Sequence, residues 1–299
     1  MNILVTGSSG FLGAKLVENL IKKKHFVTGV DILKKKINYK NYKHYILDIS
    51  KSNNKKKLSK LVKGKDLIIH TAARQPHKIE FEINKYMSVN FIGTKNVLEA
   101  ARNCKIKKFI YCSSFSVYEN QKGTFKENDD LNPNNTYGLS KKITESLVKF
   151  YSINYNIKTI ILRFDGIFGF QQNLPGFIKM CMSEVILRRN IVLFNKGKIK
   201  RDYLYIDDAV QSIILSIKKI NNFQFEIFNI GGGNPTTLYN IFKKIKKICN
   251  SNSIVINKKT KKQAFKNIFM NINKAEKIIN FKPNKLENNL KKLFYDFKK

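Results

Sequence analysis

Cysteine is scarce in this sequence: Cys104, Cys112, Cys181 and Cys249 are the four in 299 residues. Their spacing fits neither a metal site nor a disulfide-stapled scaffold, and predicts reduced thiols in a cytoplasmic protein. No uninterrupted apolar run is long enough to span a membrane. The opening Met1-Asn2-Ile3-Leu4-Val5-Thr6-Gly7 has no basic stretch before its apolar residues, so no secretory leader is expected. Internal repeats and low-complexity linkers are also missing, and Lys51 to Lys57 reads as a surface loop. Acidic residues are few: 21 Asp and Glu stand against 57 Lys and Arg, a formal net charge of +36. Such a field attracts nucleic acid, anionic membrane and phosphorylated ligands. Here the lysines are spread along the whole chain in company with abundant Asn and Ile, which reads as a compositional bias. Neither a nucleic-acid partner nor a membrane partner is expected.

What the chain does have is a large apolar fraction, 42%, which excludes a disordered protein and supports a sizeable core. The first half alternates strand and helix signals. Short apolar runs at Asn2 to Thr6, Phe26 to Val30, Tyr45 to Leu47, Lys65 to His70, Lys108 to Cys112 and Lys158 to Leu162 predict strands. Between them, Phe11 to Lys24, Asn84 to Asn103 and Tyr137 to Tyr155 carry helical periodicity. That alternation predicts an α/β protein with a Rossmann-type, doubly wound parallel sheet. After Arg163 the pattern is less regular. Helices are expected at Phe177 to Arg188, Ile206 to Lys219, Leu238 to Cys249 and Leu286 to Phe297, with strands at Ile191 to Phe194 and Glu226 to Asn229. The expected division is residues 1–165 for the nucleotide domain and 166–299 for a smaller mixed α/β substrate-binding lobe. Residues from about 206 to 230 would return to the first domain.

Thr6-Gly7-Ser8-Ser9-Gly10-Phe11-Leu12-Gly13 follows a strand and opens a helix. In that setting one glycine permits a sharp turn, one lets backbone approach a pyrophosphate, and one lets helix and sheet pack closely. The helix N–H groups then face the negative charge. Asp31 ends the next strand, where a carboxylate can accept hydrogen bonds from a ribose diol, and Asp48 ends the third, on the adenine side. The carboxylate of Asp31 favours NAD, because a 2′-phosphate would meet a like charge. Lys34, Lys35 and Lys36 keep NADP as the alternative.

Tyr137 and Lys141 stand four apart at the start of a helix, so both side chains share one face. A neighbouring ammonium is expected to lower the phenol and make it a usable base. Ser114 closes the fifth strand, where its hydroxyl can meet the same substrate oxygen.

These motifs, in this order, resemble the extended short-chain dehydrogenase/reductase family, in its branch of nucleotide-sugar epimerases, dehydratases and reductases. The likeness runs over nearly the whole chain. It includes Asp48-Ile49, His70-Thr71-Ala72-Ala73, Asn90 in Val89-Asn90-Phe91-Ile92-Gly93-Thr94, the segment Cys112 to Tyr118, Tyr137 with Lys141, Arg201 to Ala209, and Phe228 to Gly233. The resemblance implies Tyr137 as general base, Lys141 on the nicotinamide ribose, and Ser114 orienting the substrate oxygen. It implies cofactor contacts at Gly7, Ser9, Gly10, Phe11, Leu12, Gly13, Asp31, Asp48, Ile49, Thr71, Ala72, Ala73 and Asn90. Arg201 would meet a phosphate of the substrate, and a homodimer is expected through the helices at Asn84 to Asn103 and Tyr137 to Tyr155. No metal is expected.

Departures from the family pattern narrow the reaction. Phe115-Ser116 stands where 4,6-dehydratases carry an acidic pair, and Gly166 replaces a substrate-binding asparagine. The expected activity is NAD-dependent epimerisation of a nucleotide-linked sugar at C4, through a 4-keto intermediate. The alternatives are a 4-keto-sugar nucleotide reductase, a 4,6-dehydratase, and a non-enzymatic nucleotide- or RNA-binding protein.

Overall fold

The computed structural model describes residues 1–34, 39–75, 82–119, 122–172, 176–260 and 267–298. Lys35 and Lys36, invoked above beside Asp31, lie outside them. The first half runs β1 (Asn2–Thr6), α1 (Phe11–Lys22), β2 (Phe26–Asp31), β3 (Tyr42–Ile46), α2 (Lys55–Val62), β4 (Leu67–His70), α3 (Ile83–Tyr86), α4 (Thr94–Asn103), β5 (Lys108–Ser114), β6 (Gly123–Phe125), α5 (Thr136–Asn154) and β7 (Lys158–Phe164). The second half runs β8 (Gly166–Phe168), α6 (Phe177–Ile186), β9 (Ile191–Phe194), β10 (Lys200–Arg201), β11 (Tyr203–Tyr205), α7 (Ile206–Lys219), β12 (Phe225–Ile230), β13 (Thr236–Thr237), α8 (Leu238–Cys249), β14 (Val255–Lys258), β15 (Ile268–Met270), α9 (Asn273–Ile279) and α10 (Leu286–Lys298).

Seven parallel strands form the central sheet in the order β12-β7-β5-β4-β1-β2-β3. Helices cover both faces, which is why the inner strands read as continuous apolar runs. Along β1 the side chains alternate: Ile3 and Val5 join the core under α1 and α7, while Leu4 joins the core under α2, α4 and α5. Helix α1 buries Leu16, Val17 and Leu20. A third core, around Phe168, Ile178, Met182, Leu193, Ile241, Phe242, Leu290 and Leu293, unites α6, α8, α10 and the short strands of the second half. No helix among the described residues is long and apolar enough to cross a membrane.

Three local readings change. Lys55 to Lys57 are not loop but open α2, because Leu58 and Val62 at i and i+4 are buried against α4. The long helix expected at Asn84 to Asn103 runs without a gap from Ile83 to Asn103, but with a π-helical stretch at Met87–Gly93 inside it. Strand β3 lies slightly upstream of its expected position, at Tyr42–Ile46, in register with Val27 to Asp31. Five of the strands around β1 bring Asp31, His70, Ser114, Phe164 and Ile230 to one edge, together with Thr6 of β1 itself. Ligands of open parallel sheets bind outside this carboxyl edge.

Candidate active site

The glycine loop is built for close approach. Gly7 has φ of 72°, and a side chain there would put its Cβ 2.6 Å from the backbone nitrogen of Ala72. A Cβ on Gly13 would lie 2.0 Å from the carbonyl oxygen of Gly7, so α1 packs directly on the turn. Gly10 precedes α1 with no side-chain cap, and leaves the first-turn N–H groups of Phe11 and Leu12 to a ligand. Thr71 Oγ1 donates to the carbonyl of Thr6 at 2.7 Å and ties the segment Thr71, Ala72 and Ala73 to the loop.

Asp31 stands half-buried beside this loop. Its carboxylate accepts the N–H of Ser9 at 2.9 Å and of Leu33 at 2.9 Å. Asp48 accepts the N–H and hydroxyl of Ser50, at 2.9 and 2.7 Å, while Ile49 is buried next to Gly93. Glycine cradle, uncapped helix and carboxylate at the end of β2 together fit a dinucleotide. Asn90 lies in the π-helical stretch, 1% exposed. Its Oδ1 accepts the N–H of Arg74 at 2.8 Å and its Nδ2 donates to Ser140 Oγ at 2.8 Å. It thereby braces the segment after β4 against α5.

Ser114 and Tyr137 meet at the same edge, with the serine side chain close enough to oppose the rise of the tyrosine phenol. Both are buried, and Ser114 Oγ also accepts the N–H of Ser116 at 3.2 Å. Helix α5 starts at Thr136 because Asn135 caps it, accepting the N–H of Gly138 at 2.8 Å. One turn after Tyr137, Lys141 is 2% exposed. Its ammonium donates to the carbonyl of Cys112 at 2.6 Å and lies 4.5 Å from the centre of the Tyr111 ring. The expected lowering of the tyrosine is reversed. Burial pushes Tyr137 up to about 12, against the opposing hydrogen bonds with Ser114 and Gln75. Lys141 is pulled down to about 8, again chiefly by burial. Beneath them His70, fully buried, bonds Thr6 Oγ1 at 2.5 Å and Thr94 Oγ1 at 2.9 Å, and burial lowers it to about 3.

Arg201 is half-buried on β10, and its charge is felt by Glu119, Asp165 and Tyr203. Sequence reasoning passed over this acidic group. Asp202 accepts the N–H of Gly233 at 2.8 Å and of Asn234 at 3.3 Å, and burial raises it to about 6. Side chains on Gly231 or Gly232 would come within 2.8 Å of its oxygens, which explains the glycine run after β12. Burial and the neighbouring Asp202 hold Asp165 well above the ordinary carboxyl range. The available signal was an aspartate closing the apolar strand β7. Also passed over was the buried pair of Arg163 and Glu145, 2.7 Å apart, with Ser113 donating to Glu145 at 2.5 Å. Glu145 follows Lys141 by four residues and so extends the face of α5 that carries Tyr137.

The chain is 33% identical over 94% of its length to an uncharacterized protein of Methanocaldococcus jannaschii, of which 91% is covered. The UDP-glucose 4-epimerase of Thermotoga maritima, solved with UDP-glucose, superposes with a TM-score of 0.89 at 27% identity, covering 100% of this chain and 99% of the other. The UDP-glucuronic acid 4-epimerase of Bacillus cereus, solved with UDP-glucuronic acid and NAD, gives 0.87 at 26% identity, with 99% and 98% covered. The family model for the NAD dependent epimerase/dehydratase family matches residues 3–231. Glycine cradle, parallel sheet and family model agree, and the chain is an enzyme of the NAD-dependent epimerase/dehydratase family.

Proposed function

We propose that this enzyme is an NAD-dependent nucleotide-sugar epimerase that inverts C4 of the hexose through a transient 4-keto sugar. The observation that carries the reading is the buried, neighbouring pair of Ser114 and Tyr137 beside the glycine cradle. Two hydroxyl groups aimed at one place can hold one substrate oxygen and exchange its proton. Tyr137 takes the proton of the C4 hydroxyl as the ketone forms and returns it when the alcohol is restored on the other face. Ser114 orients that oxygen. Lys141, still cationic at neutral pH with a value of about 8, favours the phenolate. Arg201 grips a phosphate of the nucleotide. Bound NAD supplies the reversible hydride acceptor, held by Gly7, Ser9, Gly10, Phe11, Leu12, Gly13, Asp31, Asp48, Ile49, Thr71, Ala72, Ala73, Tyr137 and Lys141, with Asn90 bracing the last of the loop segments. Asp31 favours NAD over NADP.

The Rossmann domain in this reading is residues 1–165 and the substrate lobe 166–299, with α7 and β12 returning to the sheet. A homodimer through α4 and α5 belongs to the same proposal. Phe150, Ile153 and Tyr155 remain 52%, 57% and 38% exposed there, an apolar face suited to a second copy. Incubation with NAD and a panel of UDP-, dTDP- and GDP-hexoses tests the reaction. An isomer of unchanged mass without net NADH is expected. Loss of water would replace epimerisation by dehydration, and conversion only of 4-keto sugars with consumption of NADH would replace it by reduction.

A further inference from the structure

Two carboxyl groups that feel the charge of Arg201 have no use in the proton transfer. Glu119 follows the turn after β5. It accepts a hydrogen bond from Asn135 Nδ2, and the Ser116 side chain is near enough to pull against its rise. Asn135 is the cap of α5, two residues before Tyr137, and the N–H of Ser116 bonds Ser114 Oγ. Glu119 is thus tied to both elements that carry the reactive pair. Its charge is felt by Tyr137, and it feels Arg201 in turn. Asp165, at the end of β7, feels Arg201 and Glu119. Its Oδ1 accepts the N–H of Gly166 at 2.7 Å, while Oδ2 is buried without a hydrogen-bond partner. The residue is 7% exposed. A buried carboxyl oxygen left without a partner is costly, and a ligand hydroxyl removes that cost.

Resting on the nucleotide-sugar reading, we infer that Glu119 and Asp165 wall the sugar subsite, which accepts an uncharged hexose and rejects a uronosyl group. The substrate must reach from its reacting C4 hydroxyl at Tyr137 to its phosphate at Arg201, so its hexose lies along this wall. Sugar hydroxyls offer donors to Asp165 Oδ2 and to the Glu119 carboxyl. A uronate instead brings a further carboxylate beside Glu119, Asp165 and Asp202, and Arg201, the cation shared by Glu119 and Asp165, is engaged by phosphate. All three carboxyls already lie above their ordinary values, burial being the first cause. The corner therefore disfavours added negative charge. The +36 net charge does not offset this, because it draws every nucleotide sugar and discriminates only weakly between them.

The test is calorimetric binding to the NAD-loaded protein, with UDP-glucose and UDP-glucuronate as probes. The wild type should bind UDP-glucose at least about 10-fold more tightly, the gap expected of one like charge in a part-buried site. Glu119→Gln and Asp165→Asn should each narrow the gap about 3-fold or more by strengthening glucuronate binding. Glu119 is the less buried of the two, so Glu119→Gln keeps the test open should Asp165→Asn fail to fold. Equal affinities, a preference for glucuronate, or a gap unchanged in the folded variants would overturn the inference. If neither sugar nucleotide binds while NAD does, this inference is overturned, and the epimerase reading falls with it only if dTDP- and GDP-hexoses also fail to bind. A reversed preference leaves that reading standing and removes only this one.

Discussion

The ammonium of Lys141 donates to the carbonyl oxygen of Cys112 at 2.6 Å, so the cation is anchored to strand β5 from below. Tyr111, on the same strand, offers its ring face to the ammonium. The carbonyl and ring accommodate the charge, yet burial still lowers Lys141 to about 8. The site thus holds a cation at neutral pH at the expense of stability.

That cost is measurable. The folded Lys141 releases its proton near pH 8, whereas an unfolded lysine keeps it to about 10.5. The unfolded state therefore binds more protons between those values, and stability rises with pH across that window. Below pH 8 the full penalty, about 3 kcal/mol, applies. Lys141→Met should unfold at higher denaturant at pH 7, by about 1–2 kcal/mol, while its epimerase activity is lost. A less stable variant at pH 7 would contradict the assignment.

Tyr137→Phe removes the proton carrier with little change in volume. Epimerisation should fall by about 10³-fold or more in kcat, with KM for the nucleotide sugar changed by less than about 3-fold. Ser114→Ala should cost about 10- to 100-fold. Steady-state kinetics of both variants would assign the proton step elsewhere if Tyr137→Phe retained activity.

Gly13→Ala is the sharpest test of the cradle. The added methyl would lie 2.0 Å from the Gly7 carbonyl oxygen, so α1 must move away from the turn. NAD affinity measured by fluorescence titration should fall by about 100-fold, or the protein should fail to fold. Gly64→Ala serves as the control, since an added Cβ there meets nothing within 4 Å, although its φ of 74° adds local strain.

His70 governs acid sensitivity. Folded, it remains neutral to about 3; unfolded, it takes a proton near 6.5. Its contribution is complete above pH 6.5 and is lost as pH falls toward 3, by about 1.4 kcal/mol per pH unit. Denaturant unfolding between pH 4.5 and 7 should be steeper in pH for the wild type than for His70→Gln. Identical slopes would mean that His70 is protonated in the folded protein.

Breaking the Arg163–Glu145 pair should be severe. Each side chain is 5% exposed or less, so Glu145→Leu strands a buried guanidinium. A loss of about 3–5 kcal/mol is expected in chemical denaturation. Recovery of stability in the double variant Glu145→Leu/Arg163→Met would identify the stranded charge as the cause.

Short-range patterns were legible in the sequence. The glycine loop, the apolar strands and the four-residue step from Tyr137 to Lys141 are all local, because turn chemistry and helical periodicity act over a few residues. Expected strand positions therefore agree with the sheet to within a few residues, and Ser114, Tyr137 and Lys141 lie at one edge. Only the tertiary structure decided what surrounds them. Asn90, in the π-helical stretch of its helix, bonds Arg74 and Ser140, which lie 16 and 50 residues away in the chain. Glu119, Asp165 and Asp202 come from separate elements, and no periodicity links them. The phenol of Tyr137 lies above its ordinary value although a lysine follows one turn later, because burial outweighs the hydrogen bonds that oppose it. Proton affinities depend on desolvation, and desolvation is set by packing between residues far apart in the chain.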